Sequence, residues 1–193
     1  LFRSKFHAEH PDICLGVSEY GCEGIVNWHS SNPQRKDYSE EYQACYHEKM
    51  LETFAQRSYL WSTHVWNMFD FGAAHRTEGD RPGINDKGLV THDRKVKKDA
   101  FYFYKANWNP EPMVYIAGRR SVNRVKPVTE VQIFSNCAEV TLKVNGQIIK
   151  KMQPDGVKVC IFKDIRLKKG ENNIEVSAKN GKRVITDACC WIL

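Results

Sequence analysis

No apolar stretch in these 193 residues approaches the ~20 needed to cross a bilayer, so the chain offers no membrane span. There is no C-x-x-C pair, no His and Cys spacing of the kind that holds a metal, no internal repeat and no low-complexity tract. The seven cysteines (Cys14, Cys22, Cys45, Cys137, Cys160, Cys189, Cys190) are an odd number, which argues against a disulfide framework. Cys189 and Cys190 are adjacent and would point to opposite faces of a strand, so free buried thiols are the favoured reading. The first residues lack the basic and apolar pattern of a secretory leader, and the compartment is left open.

What is present divides unevenly. Residues 1–111 hold 14 Lys and Arg against 16 Asp and Glu, whereas residues 112–193 hold 15 against 7. The net charge of +6 therefore belongs to the rear of the chain. A basic module can bind nucleic acid or another polyanion. These cations, however, are scattered through an alternating strand pattern without an aromatic stacking platform, zinc spacing or helix-turn-helix spacing. Solvated strand faces explain them better, and no nucleic-acid partner is expected.

The front reads as the end of a helix and a His10-Pro11-Asp12 turn, then a strand over Ile13 to Ser18. A polar loop from Gly21 to Asp37 follows. Ser39 before Glu40 and Glu41 marks a helix start, and Tyr42, Cys45, Tyr46, Lys49, Met50, Thr53 and Phe54 recur at helical spacing to about Arg57. Tyr59 to Phe71, dense in aromatic and apolar residues, reads as a strand buried on both faces. A long loop from Gly72 to Asp93 leads to a helix over Lys97 to Ala106. Strand, helix, strand, helix is two units of a parallel α/β architecture. Two units cannot close a sheet, so the expectation is the last two βα units of a (β/α)8 TIM barrel, whose full form needs ~250 residues.

Two prolines in Trp108-Asn109-Pro110-Glu111-Pro112 end that pattern. Seven short alternating runs follow: Met113 to Ala117, Val128 to Phe134, Glu139 to Val144, Gln147 to Lys151, Val159 to Leu167, Asn173 to Ala178 and Arg183 to Ile192. Asn145-Gly146 between two of them is a strong hairpin signal. The fold class expected is therefore multidomain, α/β plus all-β: residues 1–107 as barrel, 108–112 as linker, and 113–193 as an immunoglobulin-like β-sandwich.

Two residues stand out chemically. Glu19 closes the run Ile13, Leu15, Val17 where a parallel strand would end, which is where α/β barrels put their chemistry, and makes a candidate nucleophile. Lys87 lies in the Gly-rich loop Gly83-Ile84-Asn85-Asp86-Lys87-Gly88-Leu89.

Several motifs together resemble glycoside hydrolase family 2, the family of β-galactosidases, β-glucuronidases and β-mannosidases. They are Ser18-Glu19-Tyr20-Gly21, His29, Glu40-Glu41-Tyr42-Gln43, Val65-Trp66-Asn67-Met68-Phe69-Asp70-Phe71, Lys87-Gly88-Leu89-Val90, Asp93-Arg94-Lys95 and Lys98-Asp99-Ala100-Phe101-Tyr102-Phe103-Tyr104-Lys105. The resemblance runs from about residue 14 to 108, and the rear resembles the immunoglobulin-like domains that follow the barrel in bacterial members. It implies a retaining hydrolase that uses two carboxylic acids, with no cofactor and no metal among the site residues. Glu19 falls on the nucleophile position. The acid/base partner should follow an Asn at the end of an earlier strand, but no Asn-Glu pair precedes Glu19. Glu9 and Glu23 are poor substitutes, because neither ends a strand, so this chain alone is expected to be inert.

The resemblance places Trp66 against the sugar. His29 is either a ligand of a sugar hydroxyl or a loop-structuring imidazole. Tyr20 either orients Glu19 or packs beneath it. Arg81, Asn85 and Lys87 have the spacing that grips the C6 carboxylate of glucuronic acid in β-glucuronidases, which favours a β-glucuronide over a β-galactoside substrate. The competing β-galactosidase reading has Asp86 neutralising Lys87. A reading of another class is a non-catalytic basic binding module. For the sandwich, packing or homo-oligomerisation is favoured over carbohydrate binding, because Phe134, Phe162 and Trp191 occupy positions that look buried. Location in the bacterial periplasm or outside the cell is compatible with the resemblance.

Overall fold

The computed structural model describes residues 2–193. Helix α1 (Phe2–Glu9) precedes strand β1 (Leu15–Tyr20), helix α2 (Glu40–Ala55) and strand β2 (Leu60–Val65). The strands β1 and β2 pair in parallel, with Leu15 opposite Leu60 and Tyr20 opposite Val65. A parallel pair needs a long crossover, and α2 supplies it. Ser39 caps α2, accepting the Tyr42 N–H through Oγ at 3.0 Å. Glu40 and Glu41 add negative charge to its first turn, where the helix dipole favours it.

Three expectations are corrected. Strand β1 continues beyond Ser18 to Tyr20, which puts Glu19 inside its last two residues. The long buried strand from Tyr59 to Phe71 is instead the short β2, and Trp61 is 73 % exposed. With β1 alone beside it among the described residues, β2 leaves a face uncovered, and apolar composition misled because it records only what could be buried. After β2 the chain turns to form β3 (Phe71–Gly72), which pairs with β4 (Ile84–Asn85). The helix expected over Lys97 to Ala106 is shifted two residues: α3 spans Asp99–Trp108, with Lys98 at its N-cap.

Beyond Pro112 lie seven strands: β5 (Val114–Ile116), β6 (Val128–Ser135), β7 (Val140–Val144), β8 (Gln147–Met152), β9 (Val159–Arg166), β10 (Glu171–Asn180) and β11 (Arg183–Ile192). They form two antiparallel sheets in the orders β11-β10-β7-β8 and β5-β6-β9. Asn145 and Gly146 both take positive φ, at 52° and 81°, which gives the tight turn joining Val144 to Gln147. Between the sheets, Ile133, Leu142, Phe162, Ile174 and Trp191 are buried in one core.

A second core crosses from the front of the chain to the rear. Val17, Ala44, Phe103 and Tyr104 pack with Met113, Tyr115, Phe134 and Val159. Phe103 meets Phe134 with ring centroids 5.5 Å apart, and Tyr102 stacks on Tyr115 at 3.7 Å. Beside it is a buried ionic cluster. Arg120 of the rear donates to Glu40 of α2 and to Asp99 of α3, the latter at 2.7 Å. Asp99 also accepts from Tyr115 Oη at 2.7 Å and from Gly118 N at 2.5 Å. Two buried carboxylates therefore share one guanidinium and several neutral donors.

Candidate active site

The ends of β1 and β2 and the loop before Leu89 meet through backbone hydrogen bonds. Trp66 N donates to Tyr20 O at 2.7 Å, Asn67 N donates to Lys87 O at 3.1 Å, and Leu89 N donates to Asn67 O at 2.9 Å. Two glycines permit the close approach. A Cβ on Gly21 would lie 1.7 Å from Trp66 O, and one on Gly88 would lie 2.0 Å from Asp70 N. Gln43, buried on α2, donates through Nε2 to Cys22 O at 3.0 Å and to Gly88 O at 3.2 Å. One amide thus binds both loops to the same helix.

Below the loops, the buried Lys98 donates to Asp70 Oδ1 at 2.7 Å and to Asp86 O at 3.0 Å, while Asp70 Oδ1 also accepts Gly88 N at 2.8 Å. Burial, reinforced by the neighbouring Asp70, pushes the Asp86 carboxyl up to about 6. Its Oδ2 faces Gly79, where an added Cβ would come within 2.9 Å. No ion pair joins Asp86 to Lys87. The carboxylate beside the lysine is Glu23, with Oε1 3.9 Å from Nζ. The neutralisation of Lys87 by Asp86, allowed under the competing β-galactosidase reading, is not formed: Asp86 is buried beside Asp70 and Lys98, and the ionic partner of Lys87 is Glu23, distant in sequence.

Glu19 is exposed at the end of β1, and no hydrogen bond or ion pair to it is found among the described residues. Its neighbour Tyr20 points the other way, into the core, where Tyr104 Oη donates to Tyr20 Oη at 2.9 Å and contacts His47 Nδ1 at 2.8 Å. Of the two roles weighed for Tyr20, the geometry favours packing. Trp66, 39 % exposed, leans edge-on to Phe71 with centroids 5.7 Å apart. Asn85 is buried, and its Oδ1 accepts Lys87 N at 3.1 Å, closing a local turn. Arg81 is exposed, with Nε 3.5 Å from Asp80 Oδ1, and its charge also acts on Asp70 and Asp86.

His29 Nδ1 lies 2.9 Å from Glu41 Oε1, and Ser30 N donates to Glu41 Oε2 at 3.1 Å. The hydrogen bond to Glu41 raises the imidazole above its ordinary range. The imidazole thus fastens the loop after β1 to the first turn of α2.

Sequence reading missed Arg76, the place of Glu23 beside Lys87 and the loop-fastening role of Gln43. Arg76 lies 53 residues from Glu23, to which it donates at 2.6 Å, and no spacing rule pairs residues that far apart. Gln43 lay within a quoted motif, but its reach to Cys22 and Gly88 depends on the crossover geometry.

The arrangement defines a class: a parallel β-α-β unit presenting a solvent-facing carboxylate at a strand end, beside an aromatic ring and a lysine-bearing loop. No protein-family model matches the chain. It is 46 % identical over 193 residues to a β-glucuronidase of Bacteroides fragilis, covering 96 % of this chain and 28 % of that protein. The solved structure of an FMN-binding β-glucuronidase from F. prausnitzii L2-6 is 51 % identical, with a TM-score of 0.91 over 99 % of this chain and 29 % of that one. A B. fragilis structure described as a β-galactosidase is 29 % identical, with a TM-score of 0.92 over 99 % of this chain and 29 % of its own. These similarities support a fragment of a glycoside hydrolase family 2 enzyme, and the chain spans a little over a quarter of the length of these relatives.

Proposed function

We propose that this chain carries the nucleophile half of a β-glucuronidase active site. In this reading the front is the end of a (β/α)8 barrel, the rear is an immunoglobulin-like sandwich, and the acid/base carboxyl belongs to another part of the parent enzyme. Glu19 attacks the anomeric carbon while that acid protonates the leaving oxygen. Water, deprotonated by the same group, then releases the sugar from Glu19 with retention. Trp66 offers a ring face to the sugar's C–H face.

The observation that carries the glucuronide reading is the docking of the Lys87 loop on Asn67, immediately beyond Trp66 and beside the end of β1. In this reading the Lys87 ammonium and Glu19 face the same opening. With Asn85 Oδ1 committed to the turn, its amide Nδ2 is the group left to donate beside Lys87. A cation and an amide donor give charge-assisted bonds to a C6 carboxylate, which a neutral galactoside cannot use. Arg81 is proposed as a peripheral attraction for the anion, and His29 as a support of the loop.

The test is turnover of paired chromogenic glucuronide and galactoside substrates by the complete enzyme and by Lys87→Ala. The glucuronide kcat/KM should fall about ten-fold or more, with little change for the galactoside. Equal losses, or a wild type that turns over only the galactoside, would establish the β-galactosidase reading instead.

A further inference from the structure

Four charges alternate along the rim of the site: Glu78, Arg76, Glu23 and Lys87. Arg76 Nη1 lies 3.1 Å from Glu78 Oε1 and 2.6 Å from Glu23 Oε1, and that same Glu23 oxygen lies 3.9 Å from Lys87 Nζ. The first distance to Glu23 is a hydrogen bond and the second is beyond one. Glu23 is thus hydrogen-bonded to Arg76, while Lys87 makes a longer, purely ionic contact with it.

We propose that Arg76 is a positioning residue for uronate recognition, holding Glu23 so that the charge of Lys87 remains available to the carboxylate of an acidic sugar. This rests on the glucuronide reading above and extends it to two residues outside the Asn85 to Lys87 turn. The segment carrying Glu23 cannot simply drift away, because Gly24 N donates to Asp86 O at 3.0 Å and ties it to the lysine's own loop. Arg76 is fixed in turn: its N–H donates to Ala73 O at 2.9 Å and its carbonyl accepts Gly83 N at 2.8 Å. The Arg76 and Glu23 side chains are only 16 % and 17 % exposed, so their attraction is weakly screened.

Without the guanidinium, Glu23 has one cation within reach. A lysine stem is flexible and would close the remaining gap of about 1 Å to hydrogen-bond distance. Lys87 would then be occupied, and an arriving carboxylate would meet an unneutralised Glu23 beside it. The effect belongs to binding of the anion rather than to attack by Glu19, so it should appear in KM.

In the complete enzyme, Arg76→Met should raise KM for para-nitrophenyl glucuronide about five-fold or more while kcat stays within about two-fold. Adding Glu23→Gln to that variant should return KM to within about two-fold of wild type, since the competing charge is gone. A fall in kcat at unchanged KM, or no rescue by the second substitution, would overturn the assignment. Should Arg76→Met not fold, Glu23→Gln alone decides: KM at or below wild type supports the proposal, and a raised KM overturns it. If Lys87→Ala impairs glucuronide turnover while Arg76→Met behaves as wild type, this proposal fails and the glucuronide reading stands. A wild type inactive on the glucuronide removes both.

Discussion

Glu19 and Tyr20 are adjacent and do opposite things, because the register of β1 is irregular between Val17 and Tyr20: both of those side chains are buried, and Ser18 and Glu19 between them are exposed. Period-two alternation of Leu15 and Val17 would have turned Glu19 inward, so the irregularity that exposes it was not legible in the sequence; Tyr20, buried here, is placed to pack. If Glu19 is the nucleophile, a 2-deoxy-2-fluoro glucuronide incubated with the complete enzyme should leave a covalent adduct that peptide mapping finds on Glu19. An adduct on another carboxylate would end the assignment. Gly21 makes a second prediction. Its missing side chain is what lets Trp66 O approach, so Gly21→Ala must push the ends of β1 and β2 apart, at a cost of about 1–3 kcal/mol. Thermal unfolding should show the loss, and turnover should fall further than stability alone explains, since Trp66 moves with its carbonyl. Equal stability of the variant would refute the contact.

At the scale of elements, α2 does more than cross between strands. Ser39, Glu40 and Glu41 were legible as a helix start, and Gln43 as part of a motif. What each reaches across space was not legible, because the partners lie in the loop after β1, in the Lys87 loop, on α3 and in the segment between β5 and β6. Glu48, on the same helix, accepts from Gln132 of β6 at 2.7 Å, and burial pushes its carboxyl up to about 8. A carboxyl whose folded value lies above its unfolded value of about 4.3 contributes stability that is complete below about pH 4 and lost as pH rises toward 8. Part of the side chain still meets solvent, so the loss is discounted to about 1–2 kcal/mol. Melting temperatures of wild type and Glu48→Gln, compared from pH 5 to 8, should show a weaker decline in the variant. Parallel curves would show that Glu48 does not titrate in that window. Arg120 makes the complementary case. Arg120→Met leaves Glu40 and Asp99 buried without their cation, which should cost about 3–5 kcal/mol in denaturant unfolding. A loss below about 1 kcal/mol would mean that the cluster is held by its neutral donors instead.

For the whole molecule, the seven rear strands were legible because period-two alternation and Asn-Gly turns are local signals. The second core was not, since Phe103 and Phe134 each look like ordinary core of their own half. The solvated reading of the rear cations agrees with the exposure of Lys150, Lys151, Lys163 and Lys179. Residues 1–107 expressed alone should aggregate or exchange their amides rapidly, because β1 and β2 keep unpaired edges and α3 loses its cover. Residues 113–193 should fold around Ile133, Leu142, Phe162 and Trp191, but with a denaturant midpoint below that of the whole chain, since Tyr115 and Val159 become exposed. A sandwich as stable alone as within the chain would show that the shared core contributes nothing. That core also bears on how such a protein can change over generations. The proline-rich stretch after Trp108 looks like a natural crossover point for recombination, yet a crossover there would separate Phe103 from Phe134 and Tyr102 from Tyr115, leaving each half mated to a stranger's surface. Functional hybrids between relatives should therefore be those that inherit both sides of the seam together, and residues 102, 103, 115 and 134 should covary across the family more than their separation along the chain would lead one to expect.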